Sequence, residues 1–230
     1  MTKLILFPYA GALGMAYNQW LKRLEQQFLV VRIAYNDLKS GISQYDYLNW
    51  DELMDKLFEK LKLAIKGGDY IFFGHSMGSR VEYEMYRRIV EKKLPLPKIM
   101  IISGCKVFTE GVIDPTFISE EEFRKKCIKL GGISNEVLEI PELTEIVFNE
   151  LKKDIKILSE FQFFPVKIES PVIVLNGDDD EFSTKEEWEE ILKCKVDWRL
   201  YEGNHFFIYK NEKEILEELC DLDNKNVTAK

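Results

Sequence analysis

The chain has 230 residues, 46% of them hydrophobic, and carries 32 basic against 40 acidic side chains for a formal net charge of -8. That balance argues against a nucleic acid or an anionic membrane as the main partner, because both reward a basic face. Four scattered cysteines, Cys105, Cys127, Cys194 and Cys220, lack metal-ligand spacing, and the chain opens on an apolar segment without a signal-peptide pattern; a reduced, cytoplasmic protein with no metal and no cofactor is expected.

In chain order, the apolar run Leu4 to Phe7 reads as a first strand, followed by the small-residue loop Pro8-Tyr9-Ala10-Gly11-Ala12. Phe28 to Ile33 is a second strand, and Leu53, Leu57 and Leu61 have the spacing of one helix face. Tyr70 to Phe73 is a third strand running into Gly74-His75-Ser76-Met77-Gly78, after which Val81, Met85 and Ile89 mark a helix. Lys98 to Ile102 is a fourth strand. From about 106 to 166 the alternation breaks in a stretch too apolar for disorder and too long for a loop, which predicts a helical lid inserted over the sheet. Pro171 to Leu175 and Val196 to Leu200 are the last strands, with a helix at Trp188, Ile191 and Leu192 between them and another at Ile215 and Leu219 after them. Short apolar runs of this kind suit strands buried on both faces of a mostly parallel sheet. The expectation is one α/β domain over residues 1–230 with helices on both faces, ending in a frayed polar tail from Asp221 to Lys230.

Gly-x-Ser-x-Gly between a strand and a helix is the context of a nucleophile elbow. The turn is sharp, so the flanking glycines avoid collisions, and helix entry after Ser76 aims N–H groups at a reacting carbonyl. A serine needs a base, and the chain offers only His75 and His205. His75 adjoins Ser76, so its ring projects away from the hydroxyl and a structural role is expected; His205, in Glu202-Gly203-Asn204-His205-Phe206-Phe207, is the base candidate. An acid lying between serine and histidine completes the set, and Asp178, Asp179, Asp180 and Glu181 all qualify by position.

Four blocks in order, Leu-Phe-Pro-Tyr-Ala-Gly, Gly-His-Ser-Met-Gly, Gly-Asp-Asp-Asp and Gly-Asn-His-Phe-Phe, resemble the type II thioesterases of nonribosomal peptide and polyketide synthesis, within the α/β-hydrolase superfamily. The resemblance implies Ser76 as nucleophile, His205 as base, Asp180 as the acid, and oxyanion donors from the backbone N–H groups of Ala10 and Met77. It further implies hydrolysis of acyl groups from the phosphopantetheine thiol of an acyl or peptidyl carrier protein, as an editing activity. Two positions depart from the family pattern: Ala12 stands where glycine is usual and Glu181 where proline is usual. Phe108, Phe117, Phe123, Phe148, Phe161, Phe163 and Phe164 are candidates to line an acyl cavity under the lid. A general serine esterase or acyltransferase, and a catalytically idle carrier-binding module, are the alternative readings. A monomer is expected.

Overall fold

Among the described residues six strands, all parallel, form one sheet in the order β2-β1-β3-β4-β5-β6. They are β1 (Lys3–Phe7), β2 (Leu29–Arg32), β3 (Tyr70–His75), β4 (Ile99–Ser103), β5 (Val172–Gly177) and β6 (Val196–Tyr201). This computed structural model describes residues 1–12, 14–35 and 49–227. Each expected apolar run is a strand, but burial on both faces holds only for the inner four. The edge strands β2 and β6 are only partly buried, because no strand among the described residues pairs with their outer side.

The side-chain period of two sorts the core. Leu4, Leu6, Ile71, Phe73, Ile101 and Ile173 face α1 (Asn18–Leu24) and α9 (Glu212–Val227) on one side. Ile5, Phe7, Phe72, Met100, Ile102 and Val174 face α2 (Trp50–Ala64), α3 (Met77–Glu91) and α7 (Lys185–Leu192) on the other. Helices therefore cover both faces, as expected. Helix starts follow local chemistry: Asn49 Oδ1 accepts from Glu52 N–H at 3.0 Å to cap α2, and Thr184 with Glu187 forms a capping box on α7.

Between β4 and β5 the chain builds a 3-10 turn (Pro115–Phe117), α4 (Glu120–Leu130), α5 (Asn135–Leu138) and α6 (Pro141–Leu158), the helical content expected of residues 106–166. A four-residue helix, α8 (Phe207–Lys210), precedes α9. The tail differs from expectation, since Asp221 to Val227 continue α9; residues 228–230 lie outside the described residues. No helix among the described residues is long and apolar enough to cross a membrane.

Candidate active site

At the C-terminal end of β3 the backbone must reverse into α3 within one residue. Ser76 takes that turn at φ 57°, ψ -117°, a conformation L-residues avoid. Its neighbours explain both glycines: a Cβ at Gly78 would lie 2.1 Å from Phe7 O, and one at Gly74 would lie 2.4 Å from Gly78 O. A buried hydrogen-bond network holds the turn. Ser76 N–H donates to Ser103 O at 2.8 Å, and Ser79 Oγ donates to Gly74 O at 2.9 Å while accepting Ser103 N–H at 3.1 Å.

His75, fully buried, bonds Ser103 Oγ through Nδ1 at 2.9 Å and packs on Gly104, where a Cβ would lie 2.5 Å from its ring. Burial, with His205 nearby, holds its pKa well below the usual histidine value, so it stays neutral. Its Nδ1 is engaged with Ser103 on the neighbouring strand.

The loops after β5 and β6 meet beside the elbow. His205 Nδ1 lies 2.6 Å from Asp180 Oδ2, and both side chains are nearly buried. The other acids of the run are engaged elsewhere. Asp178 Oδ1 accepts Gly203 N–H at 2.7 Å, bracing the His205 loop, Asp179 is exposed, and Glu181 pairs with Lys106 at 2.8 Å. The Glu181 side chain thus tethers the acid loop to the segment after β4.

Ser76, His205, Ala10 and Met77 all line one cavity of about 500 Å³, at the C-terminal ends of the strands where open α/β sheets bind ligands. Met77 opens α3, whose first N–H groups lack intrahelical acceptors. Ala10 precedes Gly11, which takes φ +72° and donates its N–H to Asp154 on α6 at 2.7 Å. The cavity contains no metal-binding group of three or more side chains among the described residues.

The cavity wall is not the expected set of phenylalanines. The residues between β4 and β5 contribute aliphatic side chains, among them Val112, Ile133, Val147, Leu151 and Ile155, together with Cys127. Phe108, Phe123 and Phe148 are buried in separate clusters, Phe161 and Phe163 pack around Tyr83 and Phe108, and Phe117 and Phe164 are exposed. The aromatic rings that do line the cavity are Tyr9 and Phe206, from the loops after β1 and β6. The same segment meets the histidine loop: a Cβ at Gly131 would lie 2.3 Å from Asn204 Nδ2, and one at Gly132 would lie 2.2 Å from the Phe206 ring.

Three groups around the site escape sequence reasoning. Asp154, 4% exposed, reaches Gly11 across 143 positions. Glu82, fully buried under the elbow, accepts Ile101 N–H at 3.1 Å, and burial raises its carboxyl pKa well above the usual range. Arg80, four residues after Ser76, lines the cavity; only its helical spacing from Ser76 could have marked it.

Comparison with known proteins places this geometry. A family model described as a thioesterase domain matches residues 2–222. The chain is 24% identical over 224 residues to the gramicidin S biosynthesis protein GrsT of Aneurinibacillus migulanus, covering 95% of this chain and 87% of that protein. It is 26% identical over 226 residues to the probable anguibactin biosynthesis thioesterase AngT of Vibrio anguillarum, covering 94% and 89%. The crystal structure of ClbQ from the colibactin NRPS/PKS pathway shares the fold with a TM-score of 0.87 at 21% identity, covering 100% of this chain and 99% of that one.

Proposed function

This chain belongs to the thioesterase domain family on an α/β-hydrolase fold, and we propose that it removes acyl groups from the phosphopantetheine thiol of carrier proteins in nonribosomal peptide or polyketide synthesis. The observation that carries this reading is the His205 Nδ1 to Asp180 Oδ2 contact of 2.6 Å on the rim of the cavity that holds the Ser76 elbow. With Nδ1 committed to Asp180, the ring presents Nε2 as the proton acceptor. Relatives named for gramicidin S and anguibactin biosynthesis support the setting.

In the proposed reaction Ser76 Oγ attacks the thioester carbonyl as His205 Nε2 takes its proton. Negative charge gathers on the carbonyl oxygen, where the N–H groups of Ala10 and Met77 are the donors. The C–S bond then breaks, His205 returns the proton to the leaving thiol, and the acyl group rests on Ser76 as an ester. Water, deprotonated by His205, attacks that ester and releases the acid and the free hydroxyl. Asp180 holds the tautomer and stabilises the imidazolium. The helices between β4 and β5 act as a lid over the acyl group, and the protein edits stalled carriers as a cytoplasmic monomer within a single domain.

The test compares purified protein with Ser76→Ala on an acetyl-phosphopantetheinyl carrier protein and on p-nitrophenyl acetate. Carrier deacylation that exceeds ester cleavage and vanishes in the variant is expected. Ester cleavage without carrier deacylation would favour a general esterase, and turnover of neither would favour a binding module.

A further inference from the structure

Arg80 lies on the first turn of α3, four residues after Ser76, the residue at which the chain turns into that helix. Its side chain is 5% exposed and borders the same cavity. Two donors are used on backbone carbonyls, Nη1 to Phe108 O at 3.2 Å and Nη2 to Glu110 O at 2.9 Å. The guanidinium lies 5.1 Å from the centre of the Phe161 ring and 5.8 Å from that of Phe108. These contacts fix its plane without neutralising it.

Other arginines of α3 are treated differently: Arg87 and Arg88 both pair with Glu84. Among the described residues no carboxylate forms an ion pair with Arg80. The acids that line the cavity, Glu110 and Glu181, are well exposed and share Lys106, at 3.2 and 2.8 Å. A buried guanidinium with five donors and no counter-ion is costly unless an anion joins it, and its fork fits a carboxylate through two parallel bonds. Burial raises the pKa of the neighbouring Cys105 thiol, although the Arg80 charge opposes this, so the thiol stays protonated and supplies no anion.

We infer that the cavity accepts acyl groups ending in a carboxylate, the half-thioesters of dicarboxylic acids such as succinate, with Arg80 reading the distal charge. Hydrolysis then breaks the acyl C–S bond and consumes one water, releasing a dicarboxylic acid and the carrier thiol. This inference rests on the thioesterase reading of the Ser76 site.

The experiment measures kcat/KM on succinyl- and butyryl-phosphopantetheinyl carrier protein, a pair matched in carbon number, for the natural protein, Arg80→Met and Arg80→Lys. The natural protein is expected to favour succinyl by at least about tenfold, the discrimination a paired buried charge supplies. The ratio falls to one or below in Arg80→Met and takes an intermediate value in Arg80→Lys, which keeps the charge and loses the fork. A ratio of one or below in the natural protein overturns the inference without any variant, even if Arg80→Met does not fold. Butyryl turnover without succinyl turnover overturns the inference and leaves the Ser76 site standing; turnover of neither overturns both.

Discussion

Asp154, on the inserted helix α6, accepts the backbone N–H of Gly11 at 2.7 Å, directly beside the Ala10 N–H proposed to hold the oxyanion. The contact binds the segment over the cavity to the loop that shapes its floor. A Cβ at Gly11 would lie 2.6 Å from Leu151, so helix and loop approach too closely for any other residue at φ +72°. The inserted helix and the loop that carries the proposed Ala10 donor are thereby held together.

Asp154→Ala should accordingly lower kcat for thioester hydrolysis by on the order of tenfold or more, since small displacements of reacting groups are costly. Asp154→Asn keeps an acceptor oxygen for Gly11 N–H and should retain more of the rate. Steady-state kinetics on one acyl carrier substrate checks this, and equal losses in both variants would show that charge rather than the Gly11 contact matters.

The elbow glycines make a steric prediction. Gly78→Ala places a Cβ against Phe7 O and Pro8 O and should cost about 2 kcal/mol or more in denaturant unfolding, as for overpacking against backbone. Gly68→Ala meets nothing within 4 Å and should stay within about 0.5 kcal/mol of the natural protein.

Glu82 makes a prediction about pH. Its folded pKa is raised by burial, so between the unfolded pKa near 4.5 and the higher folded one the native state binds more protons than the unfolded state. Stability from this group is therefore full below about pH 4.5 and declines as pH rises, by up to about 1.4 kcal/mol per unit. His75 acts oppositely: neutral when folded, it costs stability as pH falls below its ordinary value of 6.5. Glu82→Gln, which keeps an acceptor for Ile101 N–H, should remove the decline, seen as a flatter plot of Tm against pH on rising from about pH 4.5. An unchanged slope would mean that Glu82 ionises freely in the fold.

Much of this was legible in the sequence because local signals carry it. The four inner strands are continuous apolar runs, and Ser76 lies in a turn that only its two glycines permit. The acid was narrower in structure than in sequence. Four contiguous carboxylates look alike until the loop turns, after which Asp178 faces Gly203, Asp180 faces His205 and Glu181 faces Lys106. Cavity lining was misread because aromatic content does not reveal which helix face a ring occupies, and the aromatics went to the packing between elements. Arg80, Glu82 and Asp154 were invisible for a related reason: each derives its meaning from partners brought together only by the tertiary fold.

Acyl transfer is proposed to pass through Ser76. The direct measurement is mass spectrometry of peptides after rapid acid quench of the protein with excess acyl carrier substrate. One acyl group is predicted on the peptide containing Ser76, absent in Ser76→Ala. An acyl group on Cys105 or Cys127, the thiols that share the cavity, would contradict the account, as would steady turnover by Ser76→Ala.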